Sequence, residues 1–124
     1  MSDTQNCTIL IVDDEIVVRD TLRKILSDEG FSVLVAENGN SAIELSEHND
    51  IDIALLDIKL PDISGELVFE RIKEFRPKIK TVMMTAYVVE DQVRKAFSEG
   101  AYTCLHKPFE INVLLDIIET LKEK

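Results

Sequence analysis

Five short apolar runs alternate along the chain with stretches in which apolar residues recur every three or four positions. Short apolar runs bounded by polar or turn-forming residues are typical of buried strands, and the longer spacing is typical of amphipathic helices. We predict strands over residues 8–12, 32–36, 51–57, 79–84 and 102–106. A regular alternation of strand and helix indicates an α/β fold.

Each predicted helix has its own set of inward-facing apolar residues. In chain order these sets are Val18, Leu22, Ile25 and Leu26; Ala42, Ile43 and Leu45; Val68, Ile72 and Phe75; Val89, Val93, Ala96 and Phe97; and Ile111, Leu114, Ile118 and Leu121. The first and third strands are apolar on both faces, and the connections are short, which favours a parallel sheet covered on both sides. We predict a flavodoxin-like sheet of order 2-1-3-4-5 with five helices on its two faces.

The helix boundaries have local signals. Gly30 is predicted to cap the end of the first helix, and the turn-forming stretch Asn38-Gly39-Asn40 is expected to offer a cap at the start of the second. The third helix is expected to begin near Ser64 and Gly65 and to end before Pro77.

Length and composition indicate one soluble domain over residues 1–124, with its core at about 7–122. The apolar fraction of 45% is ordinary for a globular protein, and no apolar run is long enough to span a bilayer. The polar N-terminus lacks the features of a signal peptide, so a cytoplasmic location is expected and no membrane partner. Cys7 and Cys104 lack metal-ligand spacing, which favours free thiols.

The net charge of −10 comes entirely from residues 1–62. An acidic surface argues against direct nucleic-acid binding, which needs a basic face. Most of the excess is expected to be solvated surface charge. It also permits the binding of a hard cation.

Acidic residues follow two strands that are neighbours in the predicted sheet. Asp13 and Asp14 follow the first strand, and Asp57 ends the third. The carboxyl ends of parallel strands lie at one edge, where open α/β sheets form their sites, so these three carboxylates should converge. Three like charges at close range are unfavourable unless one is protonated or a cation lies among them. Oxygen ligands with room for water suit Mg²⁺.

Two further groups follow the remaining strands of this edge. Thr85 provides a hydroxyl after the fourth strand, and Lys107 an ammonium group after the fifth. A carboxylate such as Asp57 can attack phosphorus and form an acyl phosphate, and the metal, Thr85 and Lys107 would neutralise the transferring oxygens. Each feature alone is more often a solvated turn, a β-forming residue or a loop. Their common position at strand ends favours a site.

Together these residues resemble the receiver domain of two-component response regulators. The resemblance covers about residues 8–121, and its ordered motifs are highly specific. They are Asp13-Asp14, Asp57 followed by Leu60-Pro61-Asp62 and Gly65, Thr85-Ala86, and Lys107-Pro108-Phe109.

The resemblance implies a role for each matching position. Asp57 would accept a phosphoryl group from a sensor histidine kinase or phosphotransfer protein. Asp13, Asp14, Asp57 and the backbone carbonyl of Lys59 would bind Mg²⁺. Thr85 would bond the phosphoryl group and move toward it, and Lys107 would pair with it. The Lys107–Pro108 peptide would be cis.

One position departs from the family pattern. The family usually has an aromatic residue three positions before the site lysine, whose rotation accompanies the threonine movement, and here that position is Cys104. Tyr102 lies on the same face of the strand. We therefore expect activation without the usual aromatic rotation. Lys59 and Tyr87, each two residues past a site group, are expected to tune the lifetime of the acyl phosphate.

The resemblance also bears on class and partners. It implies a signalling domain that catalyses only its own phosphorylation and dephosphorylation, and is otherwise not an enzyme. An output domain, fused or separate, would read its state. A homodimer through the fourth predicted helix, the fifth strand and the fifth helix is compatible with it.

Three other classes share some of these features. A flavin-binding flavodoxin needs a phosphate-binding loop after the first strand, where Asp13, Asp14 and Glu15 would repel a phosphate. A phosphatase with an aspartate nucleophile typically has a second Asp two residues later, where this chain has Lys59, and it would carry a cap domain. An inactive, interaction-only receiver predicts no Mg²⁺ binding.

Overall fold

The computed structural model describes residues 7–86 and 100–122, and a five-stranded sheet forms its centre. The strands are β1 Thr8–Val12, β2 Ser32–Ala36, β3 Ile53–Asp57, β4 Lys80–Thr85 and β5 Thr103–His106. Their order is β2-β1-β3-β4-β5, and every neighbouring pair is parallel. The predicted fold class and strand order are confirmed.

Helices connect the strands. The described ones are α1 Ile16–Asp28, α2 Gly39–His48, α3 Gly65–Phe75 and the C-terminal helix Ile111–Lys122. The fourth predicted helix, with Val89, Val93, Ala96 and Phe97, lies outside the described residues, as does Tyr87. Among the helices that the structure describes, none combines the length and apolarity needed to cross a membrane.

The predicted helix boundaries are confirmed by their capping bonds. The side chain of Asn38 accepts the Ser41 N–H at 2.8 Å at the start of α2. The side chain of Ser64 accepts the Leu67 N–H at 3.2 Å at the start of α3. Gly30, just after α1, has a φ of 96°, a left-handed conformation that glycine adopts without strain.

Four boundaries, in three of the strands, differ from the predictions by one or two residues. Residue 51 was the predicted start of the third strand, but β3 starts at Ile53 because the chain bends at Asp52, whose carboxylate accepts the Thr8 N–H at 2.8 Å. β4 begins at Lys80 and extends to Thr85, which pairs with His106 of β5. β5 begins at Thr103, one residue later than the predicted start at residue 102. Long-range pairing, which no local pattern reports, sets these ends.

The core consists of two apolar layers, one on each face of the sheet. Ile9, Ile11, Leu55 and Met84 pack with the buried residues of α1 and the C-terminal helix. Leu10, Leu56 and Met83 pack with those of α2 and α3 on the other face. Both faces of β1 and β3 are therefore buried, and their carboxyl ends are held by rigid backbone.

Candidate functional site

Three carboxylates meet at the carboxyl edge of the sheet. Val12 pairs with Leu56 in the β1–β3 register, so Asp13 and Asp57 each lie one residue beyond this pair. Carboxylate oxygens of Asp13, Asp14 and Asp57 all lie within 4.8 Å of one another. Asp13 is fully buried, Asp57 is 5% exposed and Asp14 is exposed. The cluster expected from the strand ends is present and opens to solvent at Asp14.

Lys107 lies between the two buried carboxylates. Its Nζ donates a hydrogen bond to Asp57 Oδ2 at 3.0 Å and another to Asp13 Oδ2. The lysine side chain is only 11% exposed. The more distant carboxylate of Glu15, 3.7 Å away, is mostly exposed and contributes little. The structure therefore brings the predicted ammonium group into direct contact with Asp57.

The backbone of β4 and β5 sets the position of this lysine. The Lys107 N–H donates to the carbonyl of Thr85 at 2.7 Å. Thr85 is fully buried at the end of β4. The Lys107–Pro108 peptide is cis, as the resemblance implied. Thr85 and Lys107 are thus joined at the end of neighbouring strands, next to the carboxylates.

Backbone donors also hold the carboxylates. Asp57 Oδ1 accepts the Lys59 N–H at 3.0 Å, and Asp13 Oδ1 accepts the Glu15 N–H at 2.9 Å. The side chain of Arg19 donates to the Asp13 carbonyl at 2.8 Å. Arg19 was not identified from the sequence, where it is one of several charged residues on α1. Its position in the first turn of α1, shortly after Asp13-Asp14, was the only available signal.

The site is electrostatically unbalanced. Burial raises the pKa of Asp57, and the Asp13 charge adds to this, while the hydrogen bonds from Lys107 and the Lys59 N–H act in the opposite direction. Burial alone would lower the pKa of Lys107, but its hydrogen bonds to Asp13 and Asp57 outweigh that effect and raise it. Lys107 is therefore protonated at neutral pH. Its ammonium group contacts Asp13 and Asp57, two of the three carboxylates of the cluster.

This donor set suits a divalent cation. Carboxylate oxygens with access to water are the ligands that Mg²⁺ prefers. Lys107 supplies one positive charge against three carboxylates, and Asp14 opens the cluster to solvent. The chemistry of the site therefore fits Mg²⁺, and the same edge presents a carboxylate nucleophile beside a cationic donor.

The predicted modulating residues that the structure describes differ in burial. Cys104 is half-buried and packs against the layer that contains Leu56 and Met83. Cys7 and Cys104 are both free thiols, and burial raises the pKa of each. Tyr102, on the same face of β5 by alternation, is 42% exposed. Pro108 and Lys59 are exposed.

The parallel sheet carries an acidic cluster and a lysine at its carboxyl edge, which defines an α/β domain with a polar site at its strand ends. The family model for the response regulator receiver domain matches residues 9–119. The chain belongs to this family of two-component signalling domains.

Named relatives with similar sequences agree with this assignment. Sporulation initiation phosphotransferase F of Bacillus subtilis is 33% identical over 114 residues, covering 92% of this chain and 92% of that protein. A cyclic di-GMP phosphodiesterase of Thermotoga maritima is 37% identical over 118 residues, but the match covers 94% of this chain and 32% of that protein. The chain therefore corresponds to nearly all of one relative and to about a third of the other.

Solved structures share the fold. A CheY-like receiver domain protein of Methanospirillum hungatei superposes with a TM-score of 0.88 at 33% identity, covering 94% of both chains. The response regulator TrrA of Thermotoga maritima, solved in complex with Mg²⁺-BeF, has a TM-score of 0.82 at 30% identity, covering 93% of this chain and 98% of that one.

Proposed function

We propose that Asp57 is the phosphoacceptor of this receiver domain and that it is charged by a sensor histidine kinase or a phosphotransfer protein. The observation that carries the proposal is the pairing of buried Asp57 with Lys107 at 3.0 Å, beside two further carboxylates. We also propose that residues 7–122 act as one receiver unit. The Mg²⁺ complex of the related TrrA supports a metal requirement here.

The chemistry follows from this geometry. An oxygen of Asp57 attacks the phosphorus, the bond from phosphorus to the donor histidine nitrogen breaks, and its electron pair stays on that nitrogen. Lys107 stabilises the transferring oxygens as a point charge, and the Thr85 hydroxyl donates to one of them once it has moved toward the phosphoryl group. Asp13, Asp14, Asp57 and the Lys59 carbonyl would hold Mg²⁺, which would neutralise charge on the same oxygens.

Intact mass after incubation with Mg²⁺ and acetyl phosphate tests the proposal. We expect a gain of one phosphoryl group that is absent with a chelator and is removed by hydroxylamine, because acyl phosphates are labile to that nucleophile. A protein that gains no mass would instead be an interaction-only receiver. A gain that hydroxylamine leaves in place would mean that a residue other than a carboxylate was modified.

Mg²⁺ is expected to stabilise the fold by relieving repulsion among Asp13, Asp14 and Asp57. At a free concentration of about 100 times the dissociation constant, the free energy of unfolding should rise by about 2.7 kcal/mol. Thermal melts with and without Mg²⁺ measure this. The rise should disappear in Asp14→Ala, whose exposed side chain can be shortened without a cavity. An unchanged melting temperature in the parent would contradict the metal site.

An apolar groove beside the site offers a docking surface for the phosphoryl donor. It has a volume of about 520 Å³ and extends from Val17 and Val18 on α1 to Lys107, Pro108 and Phe109. Val17, which lines the groove, and the preceding residue Ile16 are 73% and 62% exposed, which is unusual for large apolar side chains. We propose that the histidine-bearing helix of the donor protein binds here, since the histidine must reach Asp57.

We expect Val17→Asp to slow phosphotransfer from a histidine kinase about tenfold, equivalent to roughly 1.4 kcal/mol of lost binding. The rate from acetyl phosphate should stay at the parent value, because this small donor does not need the groove. The two rates are compared on the same protein preparation. Equal slowing with both donors would place the effect in the site itself and contradict the docking surface.

Cys104 gives this receiver a distinct switch. We propose that movement of Thr85 is not accompanied by aromatic rotation, because the Cys104 side chain is too short to fill the space that Thr85 would leave. In the parent, amide exchange along β5 should change less on binding an acyl-phosphate mimic than in Cys104→Tyr. An equally large change in the parent would show that an aromatic residue at this position is dispensable.

Two proposals concern output and lifetime. Lys59 and Tyr87 are proposed to lengthen the life of the acyl phosphate by hindering the attacking water, which faster dephosphorylation in Lys59→Asn would support. We propose a homodimer through the fourth predicted helix, β5 and the C-terminal helix, where Tyr102, just before β5, and Val113, on the C-terminal helix, are exposed. Sedimentation of the phosphorylated protein as a monomer would exclude that dimer. We also propose that an output domain, fused or separate, reads the phosphorylation state of this domain.

A further inference from the structure

Asp62, in the loop that follows the proposed phosphoacceptor, is bound to a distant part of the chain. Its Oδ1 accepts the Gly39 N–H at 2.8 Å, and its Oδ2 accepts the Asn40 N–H at 2.8 Å. Oδ1 also accepts the Ile63 N–H at 2.9 Å. Both carboxylate oxygens are therefore used, and two of the three bonds cross from this loop to the start of α2.

The bonds to Gly39 and Asn40 add to the cap of α2, because they satisfy two N–H groups of its first turn that the Asn38 side chain does not reach. Asn38 already caps this helix by accepting the Ser41 N–H at 2.8 Å. Although its slight burial acts in the opposite direction, the N–H groups of Asn40 and Gly39 lower the pKa of Asp62, so the carboxylate is ionised at neutral pH. A carboxylate at the positive end of a helix is favourable. Asp62 therefore links two segments that each have their own local structure.

The linked loop is the one that carries Lys59. Its first part contacts the site, since the Lys59 N–H donates to Asp57 Oδ1 at 3.0 Å. Its end is anchored by Gly65, whose N–H donates to the Ile58 carbonyl at 2.9 Å. A Cβ at Gly65 would lie 2.5 Å from the Asp57 carbonyl oxygen, so the start of α3 packs directly on the site backbone.

Side-chain packing reinforces the link at Asp62. A Cβ added to Gly39 would lie 2.5 Å from Ile63 and 2.6 Å from Val68, so the start of α2 contacts the loop and α3 without a gap. The loop between Ile58 and Gly65 is closed at its two ends by the hydrogen bond from the Gly65 N–H to the Ile58 carbonyl. Between these ends, Asp62 binds it to α2, an element outside the loop's own β3–α3 unit.

We propose that Asp62 is a positioning residue, which holds the Lys59 segment of the loop in the conformation that Asp57 needs to bind Mg²⁺ and receive the phosphoryl group. The inference rests on the proposed function. Asp62 touches neither Asp57 nor the other carboxylates of the cluster. It acts through the backbone that joins Asp57 to Lys59, whose carbonyl is a proposed metal ligand.

The test compares Asp62→Ala with Asn38→Ala, because each variant removes a side chain that accepts N–H groups at the start of α2. Only Asp62→Ala releases the loop. Mg²⁺ affinity is measured by calorimetry, and the phosphorylation rate is measured with acetyl phosphate over a range of Mg²⁺ concentrations. Thermal melts report how much stability each variant loses.

We expect the Mg²⁺ dissociation constant of Asp62→Ala to rise about tenfold, as is usual when a residue that supports metal ligands is lost. Saturating Mg²⁺ should restore most of the phosphorylation rate. Asp62→Asn, which keeps one acceptor oxygen, should recover part of the affinity. Asn38→Ala should melt earlier yet keep the parent's affinity.

The outcomes separate the two proposals. A parent protein that neither binds Mg²⁺ nor gains a phosphoryl group overturns the proposed function and this inference with it. A parent that does both, with equal Mg²⁺ affinity in Asp62→Ala and Asn38→Ala, overturns the positioning role alone.

Discussion

Asp57→Asn is expected to reduce phosphorylation by acetyl phosphate below detection. An amide oxygen is a poor nucleophile toward phosphorus, and no other carboxylate of the cluster has the same contacts. Asp13 is fully buried, and Asp14 lies at the exposed side of the cluster. Asp57 alone combines the bond to Lys107 with the bond to the Lys59 N–H.

The variant should remain folded. The side-chain oxygen of Asn can still accept the Lys59 N–H, and Lys107 keeps its bond to Asp13. Burial raises the pKa of Asp57, so its charged form is disfavoured in the folded protein. In Asp57→Asn, removal of this disfavoured charge stabilises the folded protein at neutral pH, and this offsets the stability lost with the Lys107 hydrogen bond. A loss of phosphorylation therefore cannot be attributed to unfolding if the circular dichroism melt stays close to the parent's.

Asp52→Asn is the matched control, because Asp52 lies just before the opposite end of the same strand. Its carboxylate accepts the Thr8 N–H and faces the amino edge of the sheet. This variant should gain one phosphoryl group like the parent. If the mass gain persists in Asp57→Asn, the phosphoacceptor is a different residue and the proposed function fails.

Lys107→Met is expected to lower the free energy of unfolding by about 3–5 kcal/mol in the absence of Mg²⁺, because it leaves two buried carboxylates without their shared cation. Asp13 and Asp57 both bond this ammonium group, and their carboxylate oxygens lie within 4.8 Å of each other. Phosphorylation should also slow by about 10²–10³-fold, the usual cost of removing a group that stabilises developing charge.

Urea unfolding followed by circular dichroism measures the stability loss, and Mg²⁺ should recover part of it by replacing the missing positive charge. Lys122→Met is the control. The Lys122 side chain is about as buried as that of Lys107, but its partner at 3.0 Å, Glu119, is far more exposed than Asp13 and Asp57. That change should cost less than about 1 kcal/mol. If Lys107→Met and Lys122→Met lose equal stability, the two buried carboxylates do not depend on Lys107.

Much of the fold and site was determined by local sequence pattern. The apolar runs at 8–12 and 32–36 became β1 and β2 with the predicted bounds, because β-branched residues favour a strand and the acidic or turn-forming residues that follow end it. Asp13 and Asp57 had to meet because each ends a run, and parallel strands place their carboxyl ends together. The carboxylate cluster was therefore predictable once β1 and β3 were expected to be neighbours in the flavodoxin-like strand order.

The tertiary structure decided which side chains contact which. Lys107 reaches Asp13 across 94 residues of sequence, and Asp62 binds Gly39 across 23. Such bonds depend on the register between strands and on how closely α2 approaches the loop after β3. Arg19 and Phe69 likewise acquire their positions only from packing: Arg19 bonds the Asp13 carbonyl and Phe69 is buried in the core. A local pattern reports burial and strand ends, whereas the energy of these contacts depends on distances that only the assembled sheet and helices define.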